Sequence, residues 1–295
     1  MKKELIVQRD PKSPISEIFR TLRTNIQFMT SSKNLKTLLV TSTLPGEGKS
    51  WTAANLAITF AQAGKKVILV DSDMRKGRLY HLFGVPPKPG LSNYLSGMDE
   101  NMTDIKSYIR DIEVDNLFFI PAGSIPPNPS ELLVSERATE MIEKLKAMSD
   151  VVIFDGTPSL LVTDAIILSR FLDATIIVSA YNETKIEHLD KVKKAIENVG
   201  GKIAGVVFNK VPITSKKYED SYYYGNKTER MESASKMNRS RNSSSKASIN
   251  RDRMNERART SMREKNVESK NSSRSLETSD LLKQINSYLN DDDDN

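Results

Sequence analysis

Three segments of the sequence place side chains suited to phosphate and metal binding directly after apolar runs. The first is TSTLPGEGKSW at residues 41–51, a glycine-rich loop whose backbone amides and following helix N-terminus can hold phosphate oxygens. In this pattern Lys49 reaches the β- and γ-phosphates, and the Ser50 hydroxyl binds Mg2+. Thr43 stands where such a loop usually has its leading glycine. The predicted nucleotide contacts in the loop are Pro45, Gly46, Glu47, Gly48, Lys49, Ser50 and Trp51.

The second segment, KVILVDSDMR at residues 66–75, is an apolar run that ends in two carboxylates, Asp71 and Asp73. In open α/β sheets ligands bind at the carboxyl ends of the strands, so both side chains are predicted to face the phosphate loop. One carboxylate can orient water bound to Mg2+, while the other accepts a proton or aligns an attacking oxygen. We expect this strand to lie beside the strand that precedes the loop.

The third segment, VVIFDGTPSLLVTDA at residues 151–165, is an apolar run that reaches Asp155. A carboxylate at the end of a buried strand is typical of the acid that acts on Mg2+ in phosphate-loop enzymes. We interpret Asp164 as starting or capping the next helix rather than as a ligand. Taken together, the three segments predict binding of ATP with Mg2+ far more strongly than any one of them.

Short apolar runs alternate with helical patterns in the chain around these segments. Runs that are apolar throughout suit a parallel sheet covered on both faces, and the alternation predicts a P-loop NTPase-type α/β fold with helices on both sides of a mostly parallel sheet. The predicted strands are Thr37–Thr41, Lys66–Val70, Leu117–Pro121, Val151–Phe154, Ala174–Ser179 and Ile203–Phe208. The predicted helices include Lys49–Ala63, Glu131–Met148, Thr163–Phe171 and Ile186–Val199.

The composition changes sharply along the 295 residues. Residues 226–275 hold 14 basic and 6 acidic side chains with little apolar content, so we predict a disordered basic tail. Residues 276–295 contain a short possible helix and an acidic terminus. The predicted organisation is a P-loop ATPase or kinase domain at residues 1–215, a tyrosine-rich segment at residues 216–225, and then these two tail segments.

Composition also excludes several classes of protein. The chain has no cysteine, which excludes disulfide scaffolds, thiol catalysis and iron–sulfur clusters. No apolar run approaches the ~20 residues that span a bilayer. The first residues, MKKELIVQRD, contain no apolar signal region, so we do not expect export, and a cytoplasmic location fits the composition.

The order and spacing of several motifs resemble those of the bacterial tyrosine kinases of capsule and exopolysaccharide assembly. Besides the three segments above, the similarity is carried by GLSNYLSG at 90–97, PPNPSELL at 126–133 and GVVFNK at 205–210. It extends over roughly residues 10–225. KYEDSYYYG at residues 217–225 is similar to the family's autophosphorylation cluster. The acceptor residues implied by the resemblance are Tyr218, Tyr222, Tyr223 and Tyr224.

The resemblance implies an ATP-dependent tyrosine autokinase that phosphorylates its own cluster in trans. It assigns Lys49 to the phosphates and Asp71 to activation of the tyrosine hydroxyl, while Asp73 and Asp155 support Mg2+. Asn209, after the last strand, becomes a candidate contact of the adenine ring, although a turn residue is an equal interpretation. The four proposed catalytic residues are Lys49, Asp71, Asp73 and Asp155, and the proposed metal ligands are Ser50, Asp73 and Asp155.

The resemblance also implies partners. The spacing of Glu17, Arg20 and Arg23 matches the family's motif for assembling a homo-oligomeric ring, whereas spacing alone allows a solvated helix with weak ion pairs. Further implied partners are a membrane-embedded modulator of the polysaccharide co-polymerase type, a cognate tyrosine phosphatase and exogenous protein substrates. Nucleic acid is not an expected partner. The basic tail itself leaves open anionic lipid headgroups, nucleic acid, acidic polymer or no partner.

Two alternative functions remain open on sequence alone. The first is a ParA/MinD-like ATPase switch, although Leu44 stands where those proteins carry a signature lysine. The second is a regulatory module that binds ATP without transferring phosphate. Gly156 keeps the second alternative open, because the family usually has Thr-Pro-Pro or Ser-Pro-Pro after this aspartate and glycine adds backbone freedom beside the metal.

Overall fold

The computed structural model describes residues 5–29, 35–97 and 102–212. The chain divides into two units, residues 1–224 and 225–295, and all described residues lie in the first unit. The predicted tyrosine-rich segment, basic tail and terminal helix lie outside the described residues, so those assignments stay predictions.

Among the described residues, one or more helices separate successive strands, as the apolar runs predict, except between the third and fourth strands. A 3-10 helix, Ile105–Tyr108, precedes the shortest strand. The strands are β1 (Thr37–Ser42), β2 (Val67–Asp71), β3 (Arg110–Asp111), β4 (Leu117–Ile120), β5 (Val151–Pro158), β6 (Ala174–Ala180) and β7 (Ile203–Asn209). The α-helices are α1 (Ile6–Arg9), α2 (Pro14–Met29), α3 (Lys49–Gln62), α4 (Leu79–Phe83), α5 (Leu91–Ser96), α6 (Pro129–Val134), α7 (Glu136–Met148), α8 (Asp164–Phe171) and α9 (Ile186–Asn198).

All seven strands form one sheet in the order β3-β4-β2-β5-β1-β6-β7. The pairs are parallel except β3 with β4, which confirms the predicted mostly parallel α/β fold. The expectation that β2 lies beside β1 is wrong, because β5 separates them and pairs with both. The connections between parallel strands are long, so packing across the whole sheet decides which strands become neighbours. The order of the strands along the chain therefore does not give their order in the sheet.

Apolar side chains on both faces of the sheet form the core. Leu38 and Val40 of β1 contact the layer that contains α3, whereas Leu39 between them faces the layer that contains α7 and α8. This alternation follows from the two-residue period of a strand. Since both faces are covered, the central strands are mostly apolar, and their buried carboxylates, Asp71 and Asp155, lie toward the carboxyl edge of the sheet.

The helix predicted over Glu131–Met148 is two helices, α6 and α7, separated at Ser135. Ser135 has extended backbone angles, and its hydroxyl accepts a hydrogen bond from the Ala138 N–H, so it caps α7 as an N-cap residue. The short helices α4 and α5 and the strand β3 have no counterpart in the sequence prediction. None of the helices within the described ranges has both the length and the apolar character needed to cross a bilayer.

Candidate active site

The phosphate loop connects β1 to the first turn of α3. Gly46 and Gly48 have φ angles of +83° and +98°, in the left-handed region that favours glycine. A Cβ atom at Gly48 would also lie 2.0 Å from Nδ2 of Asn209. Because α3 begins at Lys49, the free N–H groups of its first turn lie at the end of the loop, where they can bind an anion.

Lys49 lies among acids that come from two adjacent strands. Its Nζ is 3.3 Å from Oδ2 of Asp73 and 3.5 Å from Oδ1 of Asp155, and it donates to Oγ of Ser50 at 3.1 Å. Asp71 and Asp155 are register partners in β2 and β5. The structure therefore brings together the lysine, the serine and the three acids that the sequence places in separate segments.

Asp71 is completely buried in the structure. Its Oδ1 accepts from the Asp73 N–H at 3.3 Å and its Oδ2 accepts from the Leu79 N–H at 3.1 Å. Gly77 lies directly against it, since a Cβ atom there would be 2.7 Å from Oδ2. The segment between β2 and α4 thus covers one side of this carboxyl group.

Burial and mutual repulsion oppose the ionisation of these acids. Burial raises the pKa of Asp71 well above its ordinary value and the charge of Asp155 raises it further, against the effect of Lys49. Burial also raises the pKa of Asp155, again against Lys49. For Lys49, burial alone would lower the pKa, but the attraction of Asp155, Asp73 and Asp71 outweighs burial and raises it. One lysine faces three carboxyl groups, so the site favours an additional cation.

The oxygen donors of the site fit Mg2+ together with phosphate oxygens and water. Within the described part of the chain, no three His, Cys, Asp or Glu side chains form a metal-binding group. A protein cage of that kind is not required, because Mg2+ usually binds one or two carboxylates, substrate phosphates and several waters. Asp73, Asp155 and the Ser50 hydroxyl supply oxygens of this type beside Lys49.

Two residues predicted to contact the nucleotide direct their side chains into the protein. The Glu47 carboxylate accepts hydrogen bonds from Thr43, Leu44 and Thr184. The Trp51 ring packs edge-on against Phe19 of α2, with 5.2 Å between ring centroids. Glu47 and Trp51 can therefore contact a nucleotide through their backbone N–H groups rather than through their side chains.

A second charged cluster lies at the same edge of the sheet, where Asp164 begins α8 as predicted. Its buried carboxylate accepts from Nε and Nη2 of Arg75, at 2.7 and 3.1 Å, and from the Ser130 hydroxyl at 2.7 Å. The hydrogen bond to Asp164 raises the pKa of Arg75. Asp164 thus has a full set of donors and ties the segment after β2 to α6 and α8.

Gly156 lies inside β5 and is closely packed. A Cβ atom there would be 2.9 Å from Cδ1 of Leu39 and 3.1 Å from Cβ of Ala165. Glycine at this position permits close contact between β5 and the side chains on the α8 face of the sheet. The β1–β5 register shifts next to Gly156, between the Val40–Asp155 and Ser42–Pro158 pairs, so packing against Leu39 and Ala165 is what opposes the backbone freedom expected from the sequence.

Asn209, at the end of β7, contacts the phosphate loop. Its Nδ2 donates to the backbone oxygen of Glu47 at 2.8 Å. The second N–H and the amide oxygen remain the groups through which Asn209 would meet an adenine ring.

The three residues predicted to assemble a ring lie on α2. Glu17 and Arg20 form an ion pair within the helix, and Arg20 also donates to the Pro11 backbone oxygen. Arg23 donates through Nη1 to the Thr59 backbone oxygen of α3 at 2.8 Å, and its buried Nε has no hydrogen-bond partner. Arg23 is therefore partly engaged within the chain, whereas Glu17 is exposed.

Sequence reasoning missed several groups that shape the site. They are the Leu79 N–H at the start of α4, which bonds Asp71, the Ser72 hydroxyl, which bonds the Asp155 backbone oxygen, and the Thr184 hydroxyl, which bonds Glu47. No spacing pattern in the sequence marks these residues. The one available signal was position, since every loop at the carboxyl edge of a parallel sheet can approach the ligand. The tyrosines of residues 216–225 lie outside the described residues.

Comparison with known proteins places this geometry in a family. A family model described as an AAA domain matches residues 19–205, more than half of the chain. The chain is 37% identical to tyrosine-protein kinase YwqD of Bacillus subtilis, over 77% of this chain and 93% of the relative. It is 39% identical to tyrosine-protein kinase CpsD of Streptococcus pneumoniae, over 71% of this chain and 90% of the relative.

Solved structures agree with the sequence relatives. The chimerical protein CapA2B2 superposes with a TM-score of 0.67 at 39% identity, over 71% of this chain and 91% of that one. The BceF tyrosine kinase domain superposes with a TM-score of 0.65 at 36% identity, over 70% and 82%. The cell division ATPase MinD of Pyrococcus furiosus, at 23% identity, a TM-score of 0.51 and 63% and 78% coverage, shares the fold alone.

Proposed function

Because the chain belongs to the bacterial tyrosine kinase family, we propose that it transfers the γ-phosphoryl group of ATP to tyrosines of its own segment at residues 216–225. Its relatives at 37% and 39% identity are named tyrosine-protein kinases, and the chain is accordingly a protein-tyrosine kinase.

The observation that carries the proposal is the group formed by Lys49, Ser50, Asp73 and Asp155 at the start of α3. Phosphoryl transfer needs positioning and charge stabilisation more than covalent chemistry from the protein. When bound, Mg2+ neutralises charge on the β- and γ-phosphates. In this assignment Asp73, Asp155 and the Ser50 hydroxyl hold the metal, while Lys49 and the N–H groups of the phosphate loop hold the phosphates.

We assign Asp71 as the group that accepts the proton of the tyrosine hydroxyl. Tyrosine has a pKa of about 10, so a proton acceptor with a raised pKa is better matched to it than an ordinary carboxylate. Burial raises the pKa of Asp71, and a cation held by Asp73 and Asp155 would favour its ionised form. Gly77 and Leu79 cover one side of this carboxyl group.

We further propose that phosphorylation occurs in trans within a ring. Glu17 and Arg20 are partly exposed on α2 and carry opposite charges, as a contact between subunits would use. Tyr218 is separated from Tyr222, Tyr223 and Tyr224 by three residues, so one segment offers several acceptors to a neighbouring site. Arg23 would have to exchange its contact with Thr59 in order to join such an interface.

The remaining proposals follow from membership of the family. They are regulation of capsule or exopolysaccharide biosynthesis and export, activation by a membrane-embedded modulator that recruits the protein to the inner face of the membrane, reversal by a tyrosine phosphatase, and phosphorylation of further protein substrates.

The two alternative functions have less support. Likeness to MinD extends to the fold alone, and Leu44 occupies the position of the signature lysine of those ATPases. The regulatory module without phosphate transfer rested on a flexible Gly156, whereas this residue lies in β5 against Leu39 and Ala165. Neither alternative gives a role to four tyrosines within seven residues.

The test is phosphotyrosine formation by the full chain with ATP and Mg2+. We expect labelling that disappears in Lys49→Met and in the variant with all four cluster tyrosines changed to Phe. ATP hydrolysis without phosphotyrosine, even with a modulator fragment present, would contradict the kinase proposal. Transfer in trans is tested by mixing Lys49→Met, which keeps its tyrosines, with active enzyme that carries the four Phe substitutions. Label on the Lys49→Met chain supports transfer between subunits.

A further inference from the structure

Glu47 belongs to the phosphate loop, but the chain itself occupies its carboxylate. The Thr43 hydroxyl lies 2.7 Å from both carboxylate oxygens, and the Leu44 N–H donates to Oε2 at 2.8 Å. Thr43 is the residue that replaces the usual leading glycine of the loop. The hydroxyl at this position therefore bonds with a side chain four residues later and closes the loop on itself.

The third donor to Glu47 comes from a different part of the fold. Thr184, in the connection between β6 and α9, donates its hydroxyl proton to Oε1 of Glu47. The same hydroxyl oxygen accepts from the Ala180 N–H at 3.0 Å. Two consecutive hydrogen bonds through Thr184 therefore connect the end of β6 to the loop, and each strengthens the other. With an exposure of 4%, Glu47 is a buried carboxylate whose bonds have little competition from water.

The backbone of Glu47 is held from the neighbouring strand. Asn209, the register partner of Ala180 in the β6–β7 pair, donates to the Glu47 backbone oxygen at 2.8 Å. The β6–α9 connection thus bonds the side chain of Glu47, and the end of β7 bonds its backbone. Asn209 also contacts Gly48, where a side chain could not fit.

We propose that Glu47 is a positioning residue that couples the β6–α9 connection to the phosphate loop through Thr184. This role rests on the proposed ATP binding and replaces the direct nucleotide contact expected from the sequence. Since the carboxylate bonds Thr43 and Leu44 at one end of the loop and Thr184 outside it, it holds the loop amides in place before phosphate arrives. A loop that must be ordered by the nucleotide binds more weakly, whereas the chemical step after binding is unaffected.

The test measures ATP affinity and kinetics of the full chain in Glu47→Gln, Thr184→Val and the double variant. We expect Thr184→Val to raise the Kd and KM for ATP about tenfold, the effect of one hydrogen bond to a charged group, with kcat changed less than about threefold. The double variant should bind ATP nearly as well as Glu47→Gln, because Glu47→Gln already replaces the charged acceptor of the Thr184 hydroxyl with a neutral amide. Thr184→Ser, which keeps the hydroxyl, should restore the affinity. Inorganic tripolyphosphate as a probe should lose affinity in parallel with ATP.

Thr59→Val is the matched control, since Thr59 is also buried but donates to the Leu56 backbone oxygen far along α3. It should leave the ATP Kd unchanged. If Thr184→Val and Glu47→Gln bound ATP as tightly as wild type does, and tripolyphosphate as tightly as wild type does, the coupling would be overturned. This would hold even if the melting temperatures of the variants fell. Wild-type protein that binds no ATP would instead contradict the proposed function, so the two failures are distinguishable.

Discussion

Two buried acidic clusters lie at the carboxyl edge of the same sheet, and they differ in how their charge is balanced. Asp164 has a guanidinium and a hydroxyl that satisfy its carboxylate. Asp73 and Asp155 form ion pairs with a single ammonium group, that of Lys49, whose charge also acts on the buried Asp71. The Asp164 cluster is complete as it stands, so its role is to hold elements together. The Lys49 cluster is under electrostatic stress, which a bound cation would relieve.

The largest expected effect is on the rate of phosphotyrosine formation, which should fall far more when the Lys49 cluster is changed than when the Asp164 cluster is changed. Asp71→Asn removes the proposed proton acceptor, and we expect the rate of phosphotyrosine formation to fall about thousandfold, within the range for a general base. Asp164→Asn, assayed well below its melting temperature, should keep the rate within about tenfold, because Asp164 touches no proposed reacting group. Rates from initial phosphotyrosine labelling provide the measurement. Equal losses in the two variants would remove the distinction between the clusters.

The next effect concerns the free energy of unfolding, for which we expect Asp164→Asn to be more damaging than Asp71→Asn. Asp164→Asn leaves the Arg75 charge without its partner and should lower the free energy of unfolding by about 2–3 kcal/mol. This is less than the 3–5 kcal/mol typical of a fully buried pair, since the Arg75 side chain is 39% exposed. Calorimetry should show a melting temperature lower by about 5–10 °C. Ser130→Ala, which removes one neutral donor, should cost about 1 kcal/mol. An unchanged melting temperature in Asp164→Asn would contradict a structural role.

A smaller effect depends on pH. Because the folded-state pKa of Asp71 is raised above its unfolded value of about 3.9, its contribution to stability is fully present below that value and is lost as pH rises through the folded pKa. Asp71→Asn stays neutral and avoids that loss. Without ATP, we therefore expect the stability of Asp71→Asn relative to wild type to increase by about 1–2 kcal/mol as pH rises from 5 to 8, on top of the constant cost of one lost backbone hydrogen bond.

Melting temperatures across this pH range measure the difference between the two proteins. Asp115→Asn, at an exposed position, is the control and should follow wild type. A stability difference between Asp71→Asn and wild type that is constant with pH would mean that Asp71 does not gain a proton on folding.

The smallest effect on stability is expected at the exposed pair on α2, which contrasts with both buried clusters. Glu17→Ala should change the free energy of unfolding by less than about 0.5 kcal/mol, as is usual for an exposed ion pair. If Glu17 joins subunits, the same variant should reduce the mass of the assembly measured by light scattering. A mass equal to that of wild type would count against the ring motif at this position.

Much of the site was predictable because its signals are local. The glycines of the phosphate loop, Lys49 and the start of α3 follow one another within a few residues, and their conformations are encoded by residue type. The acids at the ends of β2 and β5 were equally visible, since an apolar strand ending in aspartate is a short pattern. The break at Ser135 was missed because the apolar pattern continues across it, and the capping bond to Ala138 decides it.

The sequence by itself determined the parallel α/β class and the identities of the phosphate loop and its acids, because strand periodicity and loop chemistry are properties of neighbouring residues. The tertiary structure decided that β5 separates β1 from β2, which places Lys49 between Asp73 and Asp155. It also decided that Gly77 and Leu79 cover Asp71 and that Thr184 binds Glu47. These contacts join residues from separate crossovers, whose positions follow from packing across the whole sheet rather than from any local preference.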